Sequence, residues 1–249
     1  MIAPDPVLVT IFGIDIMWYG ALIGTGFLLA IMISYCRAPK FGIDRDFILT
    51  LTIWIIPSAL VGARLYYVIF SWENYAGDLT KIFDVRGGGL AIHGGLILSF
   101  VVGYFICRKY KERFFNVADL VAPVIALAQS MGRWGNFFNE EAHGGPTDLP
   151  WAQIIDGVGY HPTFLYESIW CMLLFVFLMY WSNHRRQFDG QIVCMYGMLY
   201  SLERFFVEGL RTDSLMIGPL RQAQVISLII IVLCAVIYFY LKKQSKSLR

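Results

Sequence analysis

Apolar runs broken by polar or basic links constrain this chain more than any other feature. Seven can be counted, at about 14–36, 47–70, 89–107, 117–132, 163–182, 191–207 and 222–241. Most approach the roughly 20 residues that a helix needs to cross about 30 Å of hydrocarbon. The chain is 57% hydrophobic and 15% charged, whereas a soluble domain carries about 25% charge to build its polar shell. In a bilayer the backbone must satisfy its own hydrogen bonds, and helices do that within one segment. The expectation is an all-α polytopic membrane protein, one integral domain over residues 1–249 with about seven transmembrane helices. The fourth and sixth runs are short and lead into polar clusters, which suits helices lining a cavity.

Basic residues set the expected orientation. Arg37, Lys40 and Arg45 follow the first run; Arg108, Lys109, Lys111 and Arg113 follow the third; Arg185 and Arg186 follow the fifth. The tail adds Lys242, Lys243, Lys246 and Arg249. With seven spans these groups all fall on one side, while the other receives Lys81 and Arg86. The N-terminus is therefore expected outside and the C-terminus in the cytoplasm, with external loops at 71–88 and 133–162. The opening MIAPDPVLVTIFGIDIMWYG has no basic leader and carries Asp5 and Asp15, so the first span is expected to be retained.

Several function classes drop out. No stretch interleaves dense Lys and Arg with aromatics, so nucleic acid is not an expected partner. The five cysteines are unclustered and read as small buried hydrophobes. HExxH and GxSxG are both absent from the sequence. No metal or other cofactor is expected, and any catalysis should be direct displacement assisted by acid–base and electrostatic groups.

Four polar sites stand at or near the outer ends of the apolar runs. RGGGLAIHGG (86–95) places His93 between glycine clusters; a lone histidine is often structural, and near neutral pH it also serves as a base. GRWGNFFNEEAHGG (132–145) puts Arg133, Asn136, Asn139 and Glu140 on one stripe if the fourth helix continues through it. The alternative is a solvated loop with a snorkelling arginine. YHPTFLYES (160–168) carries Glu167 into an apolar run, where it can pair with an arginine of another helix. In YGMLYSLERFFVEGLR (196–211), Tyr200, Arg204, Glu208 and Arg211 share a helical face. Arg204 and Glu208, one turn apart, can form an ion pair that orients the arginine.

Arginines clustered among apolar helices suggest an anion, because the guanidinium fork matches phosphate oxygens. A phosphate reached from within a bilayer is most naturally a phospholipid headgroup. Arg64, in GARLYY (62–67), is expected to add to the same field.

These motifs resemble the bacterial prolipoprotein diacylglyceryl transferase family. The resemblance rests on GRWGNFFNEEAHG (132–144), which follows the family signature G-R-x-G-N-F/L-x-N-x-E-x-x-G. It extends through WYG (18–20), GARLYYV (62–68), HGG followed by Leu96, HPTFLYE (161–167) and ERFFVEGLR (203–211). It implies an enzyme of the bacterial cytoplasmic membrane with seven helices, its N-terminus outside and its site toward the outer face. It implies transfer of an sn-1,2-diacylglyceryl group from phosphatidylglycerol to the lipobox cysteine of a preprolipoprotein, without a cofactor. The essential arginines of the family then fall on Arg133 and Arg204, its histidine on His93 and its charged partner on Glu208. Supporting residues fall on Tyr19, Asn136, Glu141, Gly144 and Tyr200. The other motif positions expected to touch substrate are Arg64, Asn139, Glu167, Glu203 and Arg211. The rival reading is a transporter or channel for an anionic solute, which would call for an internal repeat and a path open to both sides. No repeat is visible.

Overall fold

The computed structural model describes residues 1–84, 88–212 and 215–247. Arg86 and Arg249, both counted in the charge pattern, lie outside the described residues. Among the described residues seven long helices follow one another: α1 (Trp18–Arg37), α2 (Arg45–Phe70), α3 (Ile92–Lys109), α4 (Phe114–Phe138), α5 (Thr163–His184), α6 (Gln191–Glu208) and α7 (Gln222–Ser247). Three small antiparallel hairpins accompany them: β1 (Val7–Ile11) with β2 (Ile14–Met17), β3 (Gln153–Ile155) with β4 (Val158–Tyr160), and β5 (Met216–Ile217) with β6 (Leu220–Arg221). Among the described residues six helices are long and apolar enough to cross a membrane, and α6 is outside that set.

The helices depart from the expected runs at three places. The first run begins as a hairpin, because Val7, Val9, Ile11, Ile14 and Ile16 are β-branched residues that suit strands. Phe12 and Gly13, with φ of 51° and 77°, form the two-residue turn, and the helix starts only at Trp18. The fourth helix is longer than its apolar run and continues to Phe138, so residues 133–138 are helical rather than loop. Glu140 does not stay on the stripe of Arg133 and Asn136, because the chain leaves the helix there with φ of 52°. The sixth helix exists but is polar along one side, with Ser201, Glu203 and Glu208 buried.

The chain divides into two compact units, Met1–Ser34 with Ala118–Arg249, and Tyr35–Val117. In the first, small residues let helices approach closely. A Cβ on Gly26 of α1 would stand 3.2 Å from the Ala128 Cα of α4. Gly135 of α4 leaves room for the Tyr19 ring, and Trp18 stacks on Phe138 with centroids 4.9 Å apart. Helices α4 and α5 are joined by reciprocal bonds. Ser130 Oγ donates to the Ser168 carbonyl at 2.8 Å, and Ser168 Oγ donates to the Ser130 carbonyl at 2.9 Å. A core of Ala122, Ala126, Leu174, Leu178 and Ile192 ties α4, α5 and α6 together.

The start of α6 is fixed from α4. The fully buried Asp119 accepts from the Gly190 N–H at 2.8 Å and the Val193 N–H at 2.9 Å, and pairs with Arg186 Nε at 2.9 Å. Those N–H groups are among the unpaired donors that every helix start presents, so one carboxylate serves two of them.

In the second unit α2 and α3 cross at glycines. A Cβ on Gly62 would overlap Gly94 and the Leu98 side chain, and one on Gly95 would stand 2.9 Å from the Ala59 carbonyl oxygen. Asp44 caps α2 by accepting from the Asp46 N–H at 3.0 Å.

Candidate active site

Three helices of the first unit deliver one charged cluster. Glu167, on the buried side of α5, is 1% exposed and meets two arginines. Its Oε2 lies 2.9 Å from Arg133 Nε of α4, and its Oε1 lies 2.6 Å from Arg204 Nη1 of α6. Arg204 turns its Nη2 to Glu208, one helical turn on, at 2.5 Å. Arg133 Nη2 donates to the Tyr200 hydroxyl at 3.2 Å. Tyr200 stacks on Tyr196, whose hydroxyl donates to Gln129 Oε1 at 2.8 Å.

Burial is uneven across this cluster. The carboxylates of Glu167 and Glu208 are enclosed, while Arg133 and Arg204 keep 21% and 20% of their side chains exposed. The two carboxylates are therefore more enclosed than the arginine side chains that hold them. Truncating one partner of a buried pair costs about 3–5 kcal/mol, since it strands a charge. Glu203, 6% exposed, lies on α6 beside Arg204, and neither of its oxygens has a hydrogen-bond partner among the described residues.

The segment after α4 folds back onto the ends of α5 and α6. The Gly144 N–H donates to the His161 carbonyl at 2.9 Å, and the Gly145 N–H donates to the Leu210 carbonyl at 3.0 Å. Gly144 also bridges to Arg211. A Cβ there would come within 2.7 Å of the His161 Cβ and 3.0 Å of the Leu210 carbonyl oxygen, so only glycine fits without displacement. Ala142 is at φ of 59°, and its carbonyl accepts from Thr163 at the start of α5. Asn139 donates to Glu141 at 3.4 Å on the exposed outer side of this turn.

Of the residues singled out in the sequence, Arg133, Glu167, Tyr200, Arg204 and Glu208 are brought into one connected group. Glu203 accompanies them on α6; Tyr19, in the first turn of α1, packs against Gly135, and Asn136, in the last turn of α4, accepts through its carbonyl from the Glu141 N–H at 3.0 Å. Gly144 and Arg211 meet through their backbones. His93 and Arg64 belong to the second unit. There His93 is exposed in the first turn of α3, 6.3 Å from the Tyr66 ring, and Arg64 is buried.

Three residues that serve the cluster were not singled out from sequence. Tyr196 supports Tyr200 by stacking and is itself held by Gln129; the one available hint was the spacing of Tyr196 and Tyr200 by four residues. Arg221, at the end of β6, donates to the Glu208 carbonyl and ties the start of α7 to the end of α6. It lies outside every motif quoted above.

Residues 6–240 match the family model described as prolipoprotein diacylglyceryl transferase. The chain belongs to the prolipoprotein diacylglyceryl transferase family. It is 51% identical over 96% of its length to the phosphatidylglycerol–prolipoprotein diacylglyceryl transferase of Finegoldia magna, of which 97% is covered. The enzyme of that name from Clostridioides difficile is 50% identical, with 98% of each chain covered. That from Gloeobacter violaceus is 42% identical over 98% of this chain and 95% of its own. In this member of the transferase family, the signature between Gly132 and Gly144 does two different jobs. Its helical half delivers Arg133 to Glu167, and its non-helical half packs Gly144 against α5 and α6.

Proposed function

We propose that the chain transfers a diacylglyceryl group from phosphatidylglycerol to the thiol of the lipobox cysteine in a prolipoprotein, the first step of bacterial lipoprotein maturation. The sulfur forms a bond to the terminal glycerol carbon of the diacylglyceryl group, and the bond from that carbon to the phosphate oxygen breaks. Glycerol phosphate leaves with the electron pair, and the thiol proton passes to a base. The observation that carries this reading is the arginine pair held on one buried carboxylate, with about a fifth of each arginine side chain exposed.

A lipid phosphate is already anionic, and its charge grows on the leaving oxygen as the carbon–oxygen bond breaks. Donors fixed in advance where charge develops are the largest single source of rate in such sites. Glu167 and Glu208 hold Arg133 and Arg204 in place before substrate arrives, so no reorganisation is needed at that moment. Asn136, Asn139, Glu141, Gly144, Glu203 and Arg211 shape the surrounding site, with Tyr19 and Tyr200 supporting α4 and Arg133. A free thiol has a pKa of about 8.5, so a neighbouring base or positive field raises its thiolate fraction. His93 is the proposed base. The protein is multi-pass; the distribution of Lys and Arg supports an outward N-terminus and a site toward the outer face of the cytoplasmic membrane.

The test is incubation of the purified protein with labelled phosphatidylglycerol and a lipobox peptide. Thioether-linked diacylglyceryl peptide is expected, together with glycerol phosphate in equal amount. Absence of the thioether product would refute the reading.

A further inference from the structure

Arg64 is 7% exposed, and the groups around its guanidinium are main-chain carbonyls. Nε donates to Ile82 at 2.9 Å. Nη1 donates to Gly88 at 2.8 Å and to Gly89 at 2.9 Å. Nη2 donates to Lys81 at 2.5 Å and to Asp84 at 2.7 Å. A guanidinium has five N–H groups, and here each has an acceptor. Its Cζ also lies 5.2 Å from the centroid of the Tyr75 ring. A lipid phosphate could bind Arg64 only by stripping these carbonyls away.

The acceptors come from both sides of the segment that precedes α3. Gly88 and Gly89 adopt φ of 89° and 71°, which only glycine takes without strain, and both turn their carbonyls toward the arginine. A Cβ on Gly89 would lie 2.5 Å from Arg64 Nη1 and 3.0 Å from the Tyr67 ring. Two residues later the Ala91 N–H donates to the carbonyl of Ala63, the neighbour of Arg64, at 3.0 Å. His93 follows, and then Gly94 and Gly95 seat against Gly62 and Ala59. The chain is thus gripped at 88–91 and again at 94–95, with His93 between the two grips.

We infer that Arg64 is a positioning residue for His93: it ties the start of α3 to α2 through the carbonyls of Gly88 and Gly89, and takes no direct part in binding the phosphate. This rests on the transferase reading, in which His93 acts on the thiol. Lysine cannot replace Arg64 in this role, because an ammonium has three donors and no planar fork. Gly89 belongs to the same device, so damage to either should have the same result.

The experiment compares Arg64→Lys, Gly89→Ala and the double variant with the wild-type chain, using phosphatidylglycerol vesicles and a lipobox peptide. Each single variant should lower kcat about 10- to 100-fold, the scale set by a displaced catalytic group. KM for the lipid should stay within about twofold, and the double variant should be no worse than the poorer single one, because coupled sites are not additive. A raised lipid KM at unchanged kcat in Arg64→Lys would make Arg64 a phosphate ligand and overturn the inference. Wild-type kcat in Arg64→Lys, or multiplied losses in the double variant, would overturn it too. So would failure of both single variants to fold, since Arg64 would then serve the whole fold rather than His93. A wild-type protein that forms no thioether would instead sink the transferase reading.

Discussion

Arg133 and Arg204 differ from Arg64 in what answers their charge. The first two face carboxylates and keep about a fifth of their side chains accessible. Arg64 is enclosed, and its five donors are spent on carbonyl dipoles of the chain. A full charge can be exchanged for another full charge, so a carboxylate-held arginine can take a phosphate as an added partner. A guanidinium that is the hub of a folded segment cannot do so without undoing that segment. Arginines in membrane proteins therefore cannot be sorted by depth or by motif alone; the acceptor decides.

The comparison can be broken most forcefully at Glu167. Glu167→Gln leaves two guanidiniums facing a neutral amide and should destabilise the protein by about 3–5 kcal/mol, read as thermal unfolding of the purified protein. Glu208→Gln should cost less in the same assay, because Arg204 keeps its bond to Glu167. Equal effects would mean that the carboxylates are not ranked as the geometry ranks them.

Next come the arginines themselves. Arg133→Ala and Arg204→Ala should each lower kcat/KM about 10²- to 10³-fold, the usual cost of one lost transition-state donor. Either alanine variant within about tenfold of wild type would remove that residue from the phosphate-holding role. Gly144→Ala should cost about 1–3 kcal/mol of stability by forcing a Cβ against His161 and Leu210. Recovery on shortening His161 to Ala would identify the clash as the cause, and no recovery would discard it.

The smallest effect is expected at Asp78. Its carboxylate accepts from the Thr80 hydroxyl at 2.6 Å and from the Thr80 N–H at 3.0 Å, which together hold its pKa below the usual carboxylate range. A depressed folded-state value means stabilisation that is full above the unfolded pKa and is lost as pH falls through the folded one. Limited proteolysis near residues 78–84 should therefore speed up on acidification below about pH 4, and Asp78→Ala should abolish that dependence. The same acceleration in the variant would assign it elsewhere.

Much of this architecture was legible in the sequence, and what was hidden had physical reasons. Among the described residues the seven apolar runs became helices, and for the six long and apolar enough to cross a membrane, backbone hydrogen bonding in a bilayer leaves few other options. The tail of α4 was legible as one of two readings, because Gly132 and Gly135 also suit a loop; in the structure the Tyr19 ring packs on Gly135 of the continued helix. The first hairpin was hidden because its turn is Phe12-Gly13 rather than Asn-Gly. The sharing of Glu167 between Arg133 and Arg204 joins residues 34 and 37 positions away, which no local spacing encodes. The surroundings of Arg64 were hidden for a deeper reason: its partners are carbonyls, which every residue has and no letter marks.

Glu167 has one more consequence, for alignment along the bilayer normal. Apolar helices in lipid gain little from any particular axial offset, because a side chain that leaves a neighbouring helix meets lipid of similar character. The two ion pairs of Glu167 do discriminate: a slip of α4 or α6 by one turn, about 5.4 Å, would break its bond to α5. One carboxylate thus works as a vernier mark for three helices, setting their heights against one another so that Arg133 and Arg204 arrive at the same level.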